Sequence, residues 1–431
     1  MDCAELRLDI DKLEQELQVL EENIETIREE KEHNKELQAV ARFVDSDAPD
    51  LLLEKYLEDF RVQNPEFFPV ITLGEWVDVV DASGGSAAYI ESVVATDDGR
   101  VLIGGSNGVL YVGSYDERGA LTLGGRTDIK NNFKEPASVC SVVAINNSRV
   151  LIGGEYGVLY EGSCGSGTEI ALDKQTDIRN AYKWAANVYS IAAIGNEHVL
   201  IGGDSGTLFT GSYDERGELT LGERIDIRDT DGYPVSIFSI ATTKDGRVLI
   251  GGSGGALYVG SFNEQGELDL GGRVDIRDTD GYLVSIFSIA TTKDGRVLIG
   301  GGSGVLYEGT CDKQGRLTLD TKRVGIKTAK GNLASIYSIK IIDDKYVLIG
   351  GSEGAFYAGS YNEWGELELG ERIDIMDAKG EPVVIRSIAT VDDEHVLIGG
   401  SGGVLHVGSY GVGLEALKQH LPEIIKKDVR D

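Results

Sequence analysis

At 431 residues the chain can bury a large core, and its formal net charge of -31 leaves none of the basic excess that a nucleic-acid backbone or an anionic membrane demands. Its four cysteines have no metal-ligand spacing, and no apolar run reaches the length of a membrane span. The charged, amphipathic start carries no secretory signal, so the chain reads as soluble and cytoplasmic.

Residues 1–44 contain no glycine and are rich in Glu and Lys. Leu6, Ile10, Leu13, Leu17, Leu20, Ile24 and Ile27 alternate by fours and threes, which places Ile10, Leu17 and Ile24 at heptad position a and Leu13, Leu20 and Ile27 at d. The stripe is as narrow as a coiled-coil seam, so the segment is expected to be a coiled-coil helix that makes a homo-oligomer through residues 6–27. A single amphipathic helix lying on the rest of the protein is the alternative, and the mixture of Ile and Leu leaves dimer, trimer and tetramer open. Residues 45–68 read as a short helical linker, with a break at Asp47-Ala48-Pro49-Asp50 and a second helix from Leu51 to Phe60, ended near Asn64-Pro65.

The next region is one unit written seven times. Val-Leu-Ile-Gly-Gly starts at Val101, Val150, Val199, Val248, Val297, Val347 and Val396, in steps of 49 residues with a single step of 50. Between Pro234 and Ile276 the unit reads as four short strands. Val235 to Ala241 is β-branched and aromatic, Lys244 to Arg247 turns, and Val248-Leu249-Ile250 is a buried run closed by Gly251-Gly252. Ala256 to Gly260 follows Gly254-Gly255, and Leu268, Leu270, Val274 and Ile276 show mainly period-two spacing. A four-stranded unit of this length cannot bury both faces alone, so neighbours must stack, as blades of a β-propeller do.

The last copy stops after its third strand, at Leu405 to Tyr410, and the missing fourth lies at the front: Ile71 to Val79 aligns with Leu219 to Ile227. The fold expected is an all-β seven-bladed propeller over residues 69–411, closed by the strand 71–79, with an N-terminal coiled-coil segment and a helical tail over 412–431. That tail contains Leu414, Leu417, Leu421, Ile424 and Ile425, broken by Pro422.

With this repeat the chain resembles bacterial β-propeller repeat proteins as a group, over roughly four-fifths of its length. The Gly-His and Trp-Asp signatures of WD40 proteins are absent. Ser212 to Gly217 stands where sialidase-like propellers carry an Asp-box, but its glycine comes one residue late and the aromatic residue is missing. The resemblance implies architecture and not chemistry, because propellers host hydrolases, lyases, sugar binders and scaffolds alike.

Against a repeat this regular, departures mark candidate sites. The connections between blades read Asp-Thr-Asp-Gly-Tyr at Asp229 and Asp278, which resemble fragments of calcium loops but lack the further oxygens such a loop needs, so they read as Asp-Gly turns. Elsewhere they differ, and Phe133, Lys134, Tyr182, Lys183 and Trp184 put aromatic and basic side chains on two adjacent connections, as a candidate partner site or as drift in exposed loops. One position of the first strand reads Glu91, Cys140, Tyr189, Phe238, Phe287, Tyr337 and Arg386 around the ring. The position reads as packing, with an ion pair between Glu91 and Arg386 that fixes the closure register; a channel-lining site with Glu91, Tyr189 and Arg386 as candidates is the alternative. Cys164 and Cys311 read as core substitutions, and His198 and His395, which replace Arg247 and Arg296, as solvated turn residues. No metal or cofactor is implied.

The function expected is a non-enzymatic interaction protein, a propeller displayed in several copies by its coiled coil and binding a protein or glycan partner on one face. The alternative is a propeller enzyme, a glycan hydrolase or lyase, with Glu91, Tyr189 and Arg386 at the channel mouth.

Overall fold

A computed structural model describes residues 71–80, 87–115, 120–164, 169–195, 197–214, 216–263, 266–362, 364–392 and 395–410. The expectations for residues 1–44, 45–68 and 412–431 lie outside these. The described residues form seven four-stranded antiparallel sheets, each ordered by sequence except the last. Blade 1 spans residues 90–128, and blades 2 to 6 span 139–177, 188–226, 237–275, 286–325 and 336–374. Blade 7 combines residues 385–410 with the strand Ile71–Asp78, which pairs antiparallel with Val404–Tyr410 in a register running from Ile71 opposite Tyr410 to Asp78 opposite Val404. The first strands of successive blades adjoin, and that of blade 7 adjoins that of blade 1, so the ring closes.

Each second strand is a continuous apolar run because both its faces are covered, one by each neighbouring blade. In blade 4 this strand is Arg247–Gly252, with every residue after the arginine buried. Its first glycine sets how closely blades approach. A Cβ on Gly251 would lie 2.6 Å from Cγ2 of Ile286 in blade 5, and one on Gly399 would lie 2.6 Å from the same atom of Ile90 across the closure. The repeated glycine is thus an interface residue.

A polar ring adds to this apolar one. The serine after the variable first-strand position accepts a backbone N–H from the next blade in every blade: Val142 to Ser92 at 3.0 Å, Ile289 to Ser239 at 3.0 Å, and Val93 to Ser387 at 2.9 Å across the closure. The first strand is the inner edge of its sheet, and these bonds satisfy donors that an open edge would leave unpaired.

Candidate functional site

The variable first-strand position is built by a bulge. In each blade the pairing between first and second strands shifts across this residue, as between Ile237 and Ser239 or between Ile385 and Ser387. A bulge re-aims the extra side chain, and here all seven bulged residues turn into the central channel. They line a cavity of about 360 Å³ together with Ser138 and Glu155.

Four of the bulged residues form an arc of rings. Tyr189 and Phe238 lie 5.5 Å apart between centroids, Phe238 and Phe287 5.5 Å, and Phe287 and Tyr337 5.1 Å, all in tilted contact. The Arg386 guanidinium caps the arc 4.4 Å from the Tyr337 centroid and reaches Glu91 with Nε 3.7 Å from Oε2. Burial raises the Glu91 carboxyl above its ordinary range, Arg386 pulls it back, and Glu155 adds to the rise. Cys140 completes the ring, its thiol pushed up to about 12 first by burial and then by Glu91 and Glu155. It is therefore a neutral thiol and no nucleophile at physiological pH. The Tyr189 phenol is also raised, mainly by burial, and accepts from the Asn187 amide at 3.1 Å.

The connections leave the same ends of the strands as this cavity, but Phe133, Lys134, Tyr182, Lys183 and Trp184 do not line it. They stand on turns of one design. The first residue caps the turn with its side-chain oxygen: Asn180 Oδ1 accepts from Tyr182 N at 3.0 Å and Trp184 N at 3.2 Å, and Asp229 Oδ1 from Asp231 N at 3.0 Å and Tyr233 N at 2.7 Å. That oxygen is committed to the turn, as the Asp-Gly reading of these connections requires. The fourth residue is left-handed. Glycine takes this position at Gly232 (φ 85°) and Gly281 (φ 88°), whereas Lys134 (φ 68°) and Lys183 (φ 64°) take it at a steric cost.

The aromatic surface is wider than the sequence departures suggested. Phe133 is 80% exposed, Tyr182 59% and Trp184 71%, while Tyr233 and Tyr282 on the next two connections are 68% and 72% exposed. The last two sit in the near-identical Asp-Thr-Asp-Gly-Tyr segments, which a search for departures passes over. Their signal is an aromatic residue in a polar turn. Glu155 escaped for a different reason: it follows the Gly-Gly pair, where four blades carry serine, and only the folded ring brings it beside Glu91 of another blade.

Two expectations need correcting. His198 and His395 are half-buried first residues of second strands and not solvated turn residues. Each ring rests on an aromatic side chain of the next blade, His198 on Phe262 at 5.3 Å and His395 on Tyr115 at 5.2 Å. Glu91 and Arg386 do form an ion pair across the closure, but it lies in the channel wall and not in the packing between blades.

No protein-family model matches the chain, and no curated protein matches it in sequence. Among solved structures it is similar to the β-propeller domain of Cps50 (Swd1) from Myceliophteria thermophila, with a TM-score of 0.56 at 10% identity, over 79% of this chain and 100% of that one. It is also similar to a protein from Lactobacillus plantarum, with a TM-score of 0.55 at 10% identity, over 69% of this chain and 89% of that one. At such identity the likeness speaks to the fold, a seven-bladed β-propeller. No helix among the described residues is long and apolar enough to cross a membrane.

Proposed function

We propose that this propeller, of the bacterial repeat type, is a non-enzymatic interaction module that takes a protein or glycan partner on the face carrying the connections between blades. The observation that carries the reading is the row of exposed rings there, from Phe133 through Tyr182 and Trp184 to Tyr233 and Tyr282. Exposed tryptophan and tyrosine are the side chains that most often anchor interfaces. Lys134 and Lys183 are cations on an acidic protein and would steer a carboxylate-bearing partner. Residues 6–27, as a coiled coil, would present several rings at once in the cytoplasm and raise avidity without a new contact.

The enzyme reading keeps one supporting observation, since Glu91, Tyr189 and Arg386 share a cavity. Against it, Glu91 is engaged by Arg386 and the rest of the wall is mostly aromatic, which suits holding a ligand better than moving protons.

Binding of the full chain to arrays of glycans and peptides tests the proposal. Trp184→Ala is expected to weaken whatever binds on the order of thirtyfold, with the melting temperature nearly unaltered. A large fall in melting temperature with binding intact would make Trp184 a packing residue. Turnover of a bound glycan, abolished by Glu91→Gln, would establish the enzyme instead. Mass in solution with and without residues 1–44 tests the oligomer.

A further inference from the structure

We propose that the channel mouth binds an organic cation, an alkylammonium or guanidinium head group, held between the aromatic arc and the carboxylate of Glu155. The site is separate from the exposed rings of the connections and does not depend on them.

The arc itself argues for a cation. Aromatic faces attract positive charge, and a cation within about 6 Å of a ring centroid gains most when desolvated. The protein already places one there, the Arg386 guanidinium at 4.4 Å from Tyr337. The rings of Phe238 and Phe287 continue that surface with no cation of the protein over them among the described residues. A second guanidinium or ammonium would find there the environment that Arg386 finds at the end of the arc.

The charge of the wall points the same way. Glu91 and Glu155 face one guanidinium, so two negative charges less one positive leave an excess of one negative charge. Arg386 is taken up by Glu91, whereas the Glu155 carboxylate makes no hydrogen bond or ion pair with another described residue. Asp204, at the equivalent position of the next blade, adds negative potential beside Tyr189.

Glu155 is also not what the scaffold calls for. Four blades carry serine at this position, and its Oγ accepts the N–H just before the first strand: Tyr89 to Ser106 at 2.9 Å, Ser236 to Ser253 at 3.0 Å, Ser335 to Ser352 at 3.1 Å and Val384 to Ser401 at 2.8 Å. Glu155 forgoes that bond among the described residues and turns its carboxylate to the cavity. An anion is disfavoured, because the one cation in the wall is already neutralised. The cavity, at about 360 Å³, suits a side-chain head or a small amine.

Two sources share this chemistry, a free amine and a basic side chain presented on a peptide. The test uses the full chain and ligand-observed NMR at millimolar concentration. The probes are choline, its neutral isostere 3,3-dimethylbutanol, sodium acetate, and a lysine peptide with and without acetylation. Choline and the unmodified peptide are expected to bind at least about tenfold more tightly than their neutral counterparts. Glu155→Ser, which restores the residue of four other blades, is expected to lower that affinity about tenfold with stability kept or improved, and Phe287→Leu to lower it as well. Trp184→Ala should leave it unchanged. A peptide far tighter than choline would assign the site to a partner's basic residue, and comparable affinities would assign it to a free amine; both support the proposal. Equal binding of the neutral isostere, tighter binding of acetate, or full affinity in Glu155→Ser would overturn it.

Discussion

The interfaces between blades and the face that carries the connections are made from the same seven repeats, yet one is uniform and the other is not. The contrast is sharpest at two adjacent residues. Ser92 and its six equivalents are all serine, because each closes the same hydrogen bond to the next blade. One residue earlier the bulged side chain faces the channel, and it is acidic, aromatic, basic or a thiol according to the blade. Within a single chain, then, sameness marks where a neighbour constrains a residue, and difference marks where only solvent or a ligand does. Each experiment below perturbs one side of that contrast.

The largest effect is expected from removing part of an interface outright. A chain starting at Val70 keeps the strand Ile71–Asp78 and should fold as the compact unit Val70–Tyr410. A chain starting at Val80 leaves Val404–Tyr410 as an uncovered edge, which invites pairing with other chains. Light scattering and thermal unfolding should show the second aggregating well below the melting temperature of the first. Equal behaviour would mean that the closing strand contributes little.

Next comes the glycine of the repeated string. Gly251→Val drives a branched side chain into Ile286 and Ile289 of the next blade, where even a Cβ would lie 2.6 Å from Ile286 Cγ2 and 2.9 Å from Ile289 Cδ1. Overpacking of this kind costs about 1–3 kcal/mol or more. Ser239→Ala, which strands the Ile289 N–H, should cost about 1–2 kcal/mol. Phe238→Tyr, at the adjacent bulge, adopts the residue of blades 3 and 6 and should stay within about 0.5 kcal/mol. Denaturant unfolding that ranks the three otherwise would break the link between uniformity and constraint.

The same link explains how much could be read from the chain. Seven copies of Val-Leu-Ile-Gly-Gly revealed the blades because the first glycine of the pair is an interface residue in every copy. The variable first-strand position was legible as a departure, but the bulge that aims it into the channel is a register shift, which no periodicity displays. Glu155 was hidden because its neighbour Glu91 comes from another blade, 64 residues away by position number. Tyr233 and Tyr282 were hidden by their own regularity. His406 shows the reverse case, a departure inside an interface.

In five blades the third strand carries a tyrosine whose hydroxyl bonds a backbone group of the preceding connection, as Tyr160 does to the Lys130 carbonyl at 2.9 Å and Tyr357 to that of Lys327 at 3.0 Å. Blade 7 has His406 there, buried, with neither ring nitrogen in a hydrogen bond of good geometry among the described residues, against Trp76 at 5.8 Å. Burial lowers its pKa from the ordinary 6.5, against a smaller upward pull from the backbone at Met376 and Gly74. The folded state therefore takes up the proton less readily than the unfolded state, and stability is lost as pH falls below about 6.5. His406→Tyr should remove that loss and add a bond to the Met376 carbonyl, a gain of about 1 kcal/mol at neutral pH. Unfolding free energies from pH 8 to pH 5 measure both. A wild-type stability no more acid-sensitive than that of the tyrosine variant would show that the histidine finds a partner for its proton.

The smallest effect on stability is expected on the connection face, and it bears directly on why a lysine stands at position 183. Lys183 holds φ 64°, where the connections into blades 4 and 5 use Gly232 and Gly281. The surrounding turn is otherwise the same. Arg179 donates to the Lys183 carbonyl at 2.7 Å, as Arg228 does to that of Gly232 and Arg277 to that of Gly281, both at 2.9 Å. Glycine therefore fits this turn without rearrangement. Lys183→Gly relieves a left-handed residue, a gain of about 1 kcal/mol, but gives part of it back to the greater freedom of the unfolded chain. The net change should be zero or slightly stabilising. If the face binds a partner, the same variant should weaken that binding and flatten its dependence on salt, because it removes a cation beside the aromatic row. A ring destabilised by more than about 1 kcal/mol would mean instead that the lysine side chain supports its own turn, and position 183 would then belong with the constrained residues.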